Sequence, residues 1–150
     1  MYKHILLAID LQRNPVQDKA VEVAIEIAHN FGAQLHVMTV IPGIGSPSAS
    51  SYFPDNFESK SIAVAKEELH AFTASVFPED IKVQHVIAKG TIYERVIHCA
   101  GKTGADLIIM GAQRPELKDY LLGPNSARVV RHAKCSVLVI RTPLNTQIPS

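Results

Sequence analysis

The sequence predicts an α/β protein, a single doubly wound sheet of five parallel strands with helices on both faces. Two observations carry this. Apolar, β-branched runs alternate along the chain with longer segments of helical period, in the order β-α-β-α-β-α-β-α-β. That order calls for parallel strands joined by right-handed crossovers. A length of 150 residues, 47% of them hydrophobic, fits one domain with a proper core and no internal repeat.

Ile5 to Ile9 is almost continuously apolar, as a strand buried on both faces should be. Asn14-Pro15 has the form of an N-cap followed by proline at the first helical position. Ala20, Val23, Ala24, Ile27 and Ala28 then recur at helical steps, and Gly32 supplies a stop. Gln34 to Ile41 is the second strand. Residues 42–59, rich in proline, glycine and serine, form a long loop, expected to be functional or mobile.

Ile62, Leu69, Phe72 and Val76 mark the inner face of a second helix, which Pro78 ends. Val83 to Ala88 is a third strand. Thr91 with Glu94 is the pattern of a capping box, opening a helix that bears Ile92, Val96, Ile97 and Ala100. Ala105 to Met110 makes a fourth strand, closed by Gly111. Val129 and Val130 sit in a short fourth helix, and Ser136 to Arg141 is the fifth strand. The aperiodic tail, 142–150, is expected to fray.

A formal net charge of +1 argues against nucleic acid or an anionic membrane as main partner. Two cysteines, Cys99 and Cys135, are too few for a disulfide scaffold and suit small buried hydrophobes better than redox thiols. The run Ile5–Ile9 is too short for a signal or membrane segment, so a cytoplasmic protein is expected. The seven histidines are scattered, with no pair at metal-ligand spacing backed by carboxylates, so no protein-ligated metal is expected. In open parallel sheets ligands bind beyond the carboxyl ends of the strands, which points to Asp10, Val40, Gly111 and Gly123.

Ile109-Met110-Gly111-Ala112-Gln113-Arg114, Tyr120-Leu121-Leu122-Gly123-Pro124-Asn125-Ser126, Val129 to Ala133 and Cys135 to Ile140 together resemble the universal stress protein family. The strand ends Ile9-Asp10 and Thr39-Val40-Ile41-Pro42 agree, and the small enterobacterial single-domain members look closest. The resemblance covers nearly the whole chain and implies one domain over 1–150, Rossmann-like and of the adenine nucleotide alpha hydrolase type, with strand order 3-2-1-4-5. It also implies ATP or a related adenine nucleotide as ligand, carried with Mg²⁺.

Ala8, Ile9 and Asp10 would then lie beside the nucleotide, with the Asp10 carboxylate equally suited to capping the loop that follows. The Val40 backbone would meet the adenine edge. Gly111 and Gly123 match the first and last glycines of the family's phosphate motif, in which glycine lets the backbone approach phosphate oxygens. The middle glycine is replaced by Arg114, a candidate bidentate anion contact or an ordinary solvated arginine. Pro124 stands where the family carries serine or threonine, which removes an N–H and a hydroxyl. The amides of Asn125 and Ser126 remain, and the Ser126 hydroxyl is either a phosphate contact or a plain first-turn residue.

The uncharged run Val137-Leu138-Val139-Ile140 leaves a sheet edge that a second copy of the chain would close, and the resemblance implies the same homodimer, with room for a higher oligomer. The expected function is a nucleotide-sensing dimer in a stress response, with little or no turnover, because no Walker lysine or phosphoryl-transfer motif is present. Pro124 and the missing glycine favour an alternative, an interaction protein of the same fold without nucleotide. A slow ATPase or nucleotidyl transferase has the least support.

Overall fold

The first strand, β1 (His4–Ala8), is sandwiched between two others, and its side chains divide strictly between two cores. Ile5, Leu7 and Ile9 enter one cluster and Leu6 the other, which is the period of two that strand geometry imposes. The computed structural model describes residues 1–12, 14–41, 57–112 and 123–141, with side chains from 60 onward in the second helix. Within them the chain runs β1, α1 (Pro15–Phe31), β2 (Gln34–Ile41), α2 (Phe57–Val76), β3 (Val83–Lys89), α3 (Ile92–Thr103), β4 (Leu107–Gly111), α4 (Pro124–His132) and β5 (Ser136–Ile140).

All four pairings are parallel, and the sheet order is β3-β2-β1-β4-β5, as expected. Leu7 lies opposite Val37 on one side and Ile109 on the other, so three fully buried side chains stack across the sheet centre. Ala20, Val21, Ala24 and Leu69 join them in one cluster, which places α1 and α2 on one face. Val96, Cys99 and Val129 pack with Leu6, Met38 and Ile108 on the opposite face, beneath α3 and α4.

The caps follow the sequence in part. The Asn14 Oδ1 accepts the Gln17 N–H at 2.9 Å, and Gly32 closes α1 in the left-handed region at φ 61°. Thr91 occupies the N-cap of α3, but its hydroxyl makes no capping bond, so the expected capping box does not form. The Glu94 side chain instead accepts from the Tyr93 hydroxyl at 3.4 Å. Ile62 is 39% exposed and does not belong to the inner face of α2, which is formed by Ala65, Leu69 and Thr73 with Phe72 and Val76 half-buried. The helix also begins at Phe57, three residues inside the segment expected as loop. The rest of that loop (42–56) and the tail (142–150) lie outside the described residues.

Among the described residues no helix is long and apolar enough to cross a membrane.

Candidate functional site

Strand β1 stops at Ala8, while β2 continues to Ile41 and β4 to Gly111. Its two neighbours therefore run on past its end. The gap between them is a cavity of about 560 Å³, of a size that holds a small-molecule ligand. It lies where the strand order reverses, β1 leading by α1 to one side and β4 beginning the other.

The backbone of β2 is open there. Ile9 N–H donates to the Met38 carbonyl at 2.9 Å, and Gly90 N–H donates to the Ile41 carbonyl at 3.0 Å. Alternate residues of a parallel strand turn their backbone groups to opposite neighbours. Val40 thus faces the same side as Met38, the side on which β1 has ended. One donor and one acceptor, 2 residues beyond the last paired position of β2 against β1, look into the gap.

Three helices begin at this cavity. Asn14, Val16 and Gln17 of the α1 entry, Ile92 of α3 and Asn125 of α4 line it. Each helix start leaves amides without an intrahelical acceptor and carries the positive end of the backbone dipole. In α4 the first helical bond runs from Ala127 N–H to the Gly123 carbonyl, so the Asn125 and Ser126 amides precede it. The Asn125 Oδ1 accepts the Tyr93 N–H at 3.3 Å, tying the starts of α3 and α4 together. The cavity floor is therefore electropositive by backbone alone.

The loop after β1 is pinned by one side chain. Gln17, buried at 7% exposure, accepts the Asp10 N–H at 2.6 Å and donates through Nε2 to the Asp10 carbonyl. The Asp10 Oδ1 accepts the Gln12 N–H at 3.1 Å, so the carboxylate does cap its loop while still lining the cavity. Gly111 is needed for close approach: a Cβ there would sit 2.9 Å from Val16 Cγ1, inside any normal contact.

Of the residues that the sequence singled out, Ala8, Ile9, Asp10, Val40, Gly111 and Asn125 come together around this cavity. Pro124 does not; it opens on a separate hollow with Tyr93, Arg128 and Arg131. Gly123 is buried, and so is Ser126, whose hydroxyl donates to the Gly111 carbonyl at 3.1 Å. That hydroxyl braces α4 against β4, in keeping with the second of its two expected readings, a first-turn helix residue. Arg114 lies outside the described residues. Sequence reasoning missed Gln17, Val16, Met38, Met110, Ala112 and Ile92. Only Gln17 left a trace, as a polar residue on the helix face otherwise bearing Ala20, Ala24 and Ala28.

The histidines are less scattered in space than in sequence. His4 Nδ1 and His36 Nε2 lie 3.1 Å apart, and His36 Nδ1 bonds the Gln84 side-chain oxygen. On the other face of β3, His85 stacks on His70 at 3.7 Å and bonds Thr73 Oγ1 at 2.6 Å. Among the described residues no group of three metal-ligating side chains forms.

Burial holds the pKa of His36 below its usual 6.5, with the neighbouring His4 adding to the effect against the Gln84 hydrogen bond. Burial and the stacked His70 do the same to His85. Both groups are favoured neutral in the fold, whereas the unfolded chain binds protons near 6.5. Their contribution to stability is therefore complete above that pH and is lost as the pH falls through their lowered native values. Calorimetric melting should show Tm dropping between pH 7 and 5, less steeply in His36→Gln and His85→Gln; a flat profile in the parent chain would contradict this. Burial likewise raises the Cys99 and Cys135 thiols, so neither is activated.

A parallel sheet with an order reversal and a backbone-lined gap beyond its carboxyl ends defines an open α/β protein built to hold a small ligand. The chain belongs to the universal stress protein family, whose model matches residues 1–141. Universal stress protein G of Shigella flexneri is 31% identical over 143 residues, covering 94% of this chain and 100% of that protein. The structure of universal stress protein UspA from Lactobacillus plantarum superposes with a TM-score of 0.73 at 24% identity, covering 93% of this chain and 98% of that one. A universal stress protein from Archaeoglobus fulgidus in complex with dAMP superposes at 0.67 and 20% identity, covering 93% and 98%.

Proposed function

We propose that this chain is a cytoplasmic stress-response protein that binds ATP or a related adenine nucleotide in the cavity beyond β1 and acts as a sensing homodimer with little or no turnover. One observation carries the reading: the gap presents the backbone of Val40, unpaired among the described residues, on one wall and three helix starts on the others. An adenine edge needs one donor and one acceptor side by side, as a strand backbone offers. A polyphosphate needs amides and a positive potential. The Archaeoglobus relative crystallised with dAMP supports the adenine part.

In this reading Ala8 and Ile9 flank the base, and the Asp10 carboxylate accepts hydrogen bonds from the ribose hydroxyls. The Gly111 backbone and the Asn125 and Ser126 amides, with Gly123 and Pro124 setting the turn before them, meet the phosphates. Arg114 is the side chain suited to add charge there, and Mg²⁺ would enter with the phosphates. The β5 edge, half-buried at Val137 to Val139, is the dimer surface.

A second reading is favoured by Ser126. With its hydroxyl spent on Gly111 and Pro124 lacking an N–H, the phosphate corner has fewer donors than the family motif provides. A chain that had given up nucleotide would serve as an interaction protein on the same fold. Calorimetric titration of the purified chain with ATP and Mg²⁺ separates the two. Micromolar binding, with ADP and AMP progressively weaker, supports the sensor. Silence at millimolar ATP leaves the interaction protein.

A further inference from the structure

A second hollow, about 730 Å³, lies on the same sheet face over the outer strand β3, beside the first cavity, whose Met38 and Val40 pair with its Val86 and Ala88. Here α3 packs over β1 and β2 and α4 over β5, so the β3 side of this face forms an open groove. Gln84, Val86 and Ala88 of β3 make its floor with His36, and α3 supplies the wall.

The wall carries one sign of charge. Arg95, His98 and Lys102, at helical steps of three and four, all line the groove, and among the described residues its lining includes no carboxylate. The Arg95 stem passes beside Gly90, where a Cβ would lie 3.7 Å from its Cγ and Cδ. The floor adds a donor. One proton assignment satisfies the chain across the strands: His4 Nδ1–H donates to His36 Nε2, and His36 Nδ1–H donates to the Gln84 oxygen. The amide nitrogen of Gln84 is then left to donate. Half-buried Val86 and Ala88 and buried Cys99 provide apolar contact between these donors.

We propose that this groove is a second ligand site, taking a small organic anion whose carboxylate or phosphate group is gripped by Arg95 and Lys102 while its apolar part lies on Val86 and Ala88. Arginine offers a planar fork and lysine a point charge, both on the α3 wall of a groove whose floor carries the Gln84 amide. The groove volume is that of a metabolite pocket rather than of a protein interface. The two sites share no lining residue, and they adjoin where Val86 and Ala88 pair with Met38 and Val40.

Titration of the isotope-labelled full chain with citrate and, separately, inorganic pyrophosphate, followed by amide NMR shifts, tests the proposal. Saturable shifts are expected at Gln84, Arg95 and Lys102 for at least one probe, with Gly111 and Asn125 unmoved by citrate; which probe binds tells carboxylate from phosphate. Lys102→Gln and Arg95→Gln should each weaken that affinity about tenfold or more. Lys102 is exposed on the helix, so its variant folds whatever Arg95→Gln does. No shift with either probe up to about 10 mM, the threshold of millimolar affinity, overturns the site. So do shifts that persist unchanged in the double variant. Shifts produced only by a poly-glutamate peptide would overturn it too, by making the groove a protein-docking surface.

Discussion

Gly111→Val is expected to abolish adenine-nucleotide binding while leaving a folded, weakened chain. The new Cβ would meet Val16 Cγ1 at 2.9 Å, and the added methyls have only the cavity to enter. Val16 is half-buried and can turn aside, so overpacking should cost about 1–3 kcal/mol rather than unfold the protein. The same methyls occupy the space between Ala8, Met110 and Ala112. Calorimetry with ATP should then show loss of heat at any accessible concentration, alongside a cooperative melt. A variant that binds as tightly as the parent would show that the ligand lies elsewhere.

Ile109→Ala should bring the largest loss of stability. Ile109 is fully buried at the centre of β4, opposite Leu7 and in the cluster beneath α1. Removing three carbons from such a site costs about 2–5 kcal/mol, because close packing prevents the void from collapsing. For a chain of this size each kcal/mol moves Tm by about 2–4 °C, so a fall on the order of 10 °C is expected by differential scanning calorimetry. A change of under about 2 °C would mean that α1 settles into the space.

Leu7 and Ile109 also show why the architecture was legible in sequence. Both sit in short apolar runs that need cover on two faces, and that alone demands a central parallel strand with helices above and below. Pro15 and Gly32 marked the ends of α1 because proline and left-handed glycine act locally. The capping box failed for the opposite reason. Thr91 and Glu94 satisfied a local pattern, but the Tyr93 amide found its acceptor in Asn125, 32 residues away. The site was half legible: residues at strand ends could be named from topology, whereas Val16 and Gln17 enter only through how α1 lies against β4. Ser126 stayed open between a phosphate contact and a plain first-turn residue, because its bond to Gly111 is tertiary and leaves no local signal. Histidine pairs were invisible for the same reason: His4 and His36 meet across adjacent strands, and His85 of β3 meets His70 of α2.

The premature end of β1 has a consequence for how such a chain diversifies. A hollow produced by one short strand between two longer ones needs no apolar side chain to be given up, so it can exist without weakening the interior. Part of its wall is the main chain of β2, which stays the same whatever side chain Val40 carries. Substitutions along its rim can therefore retune what is admitted, or shut the opening entirely, while the ladder beneath stays in register.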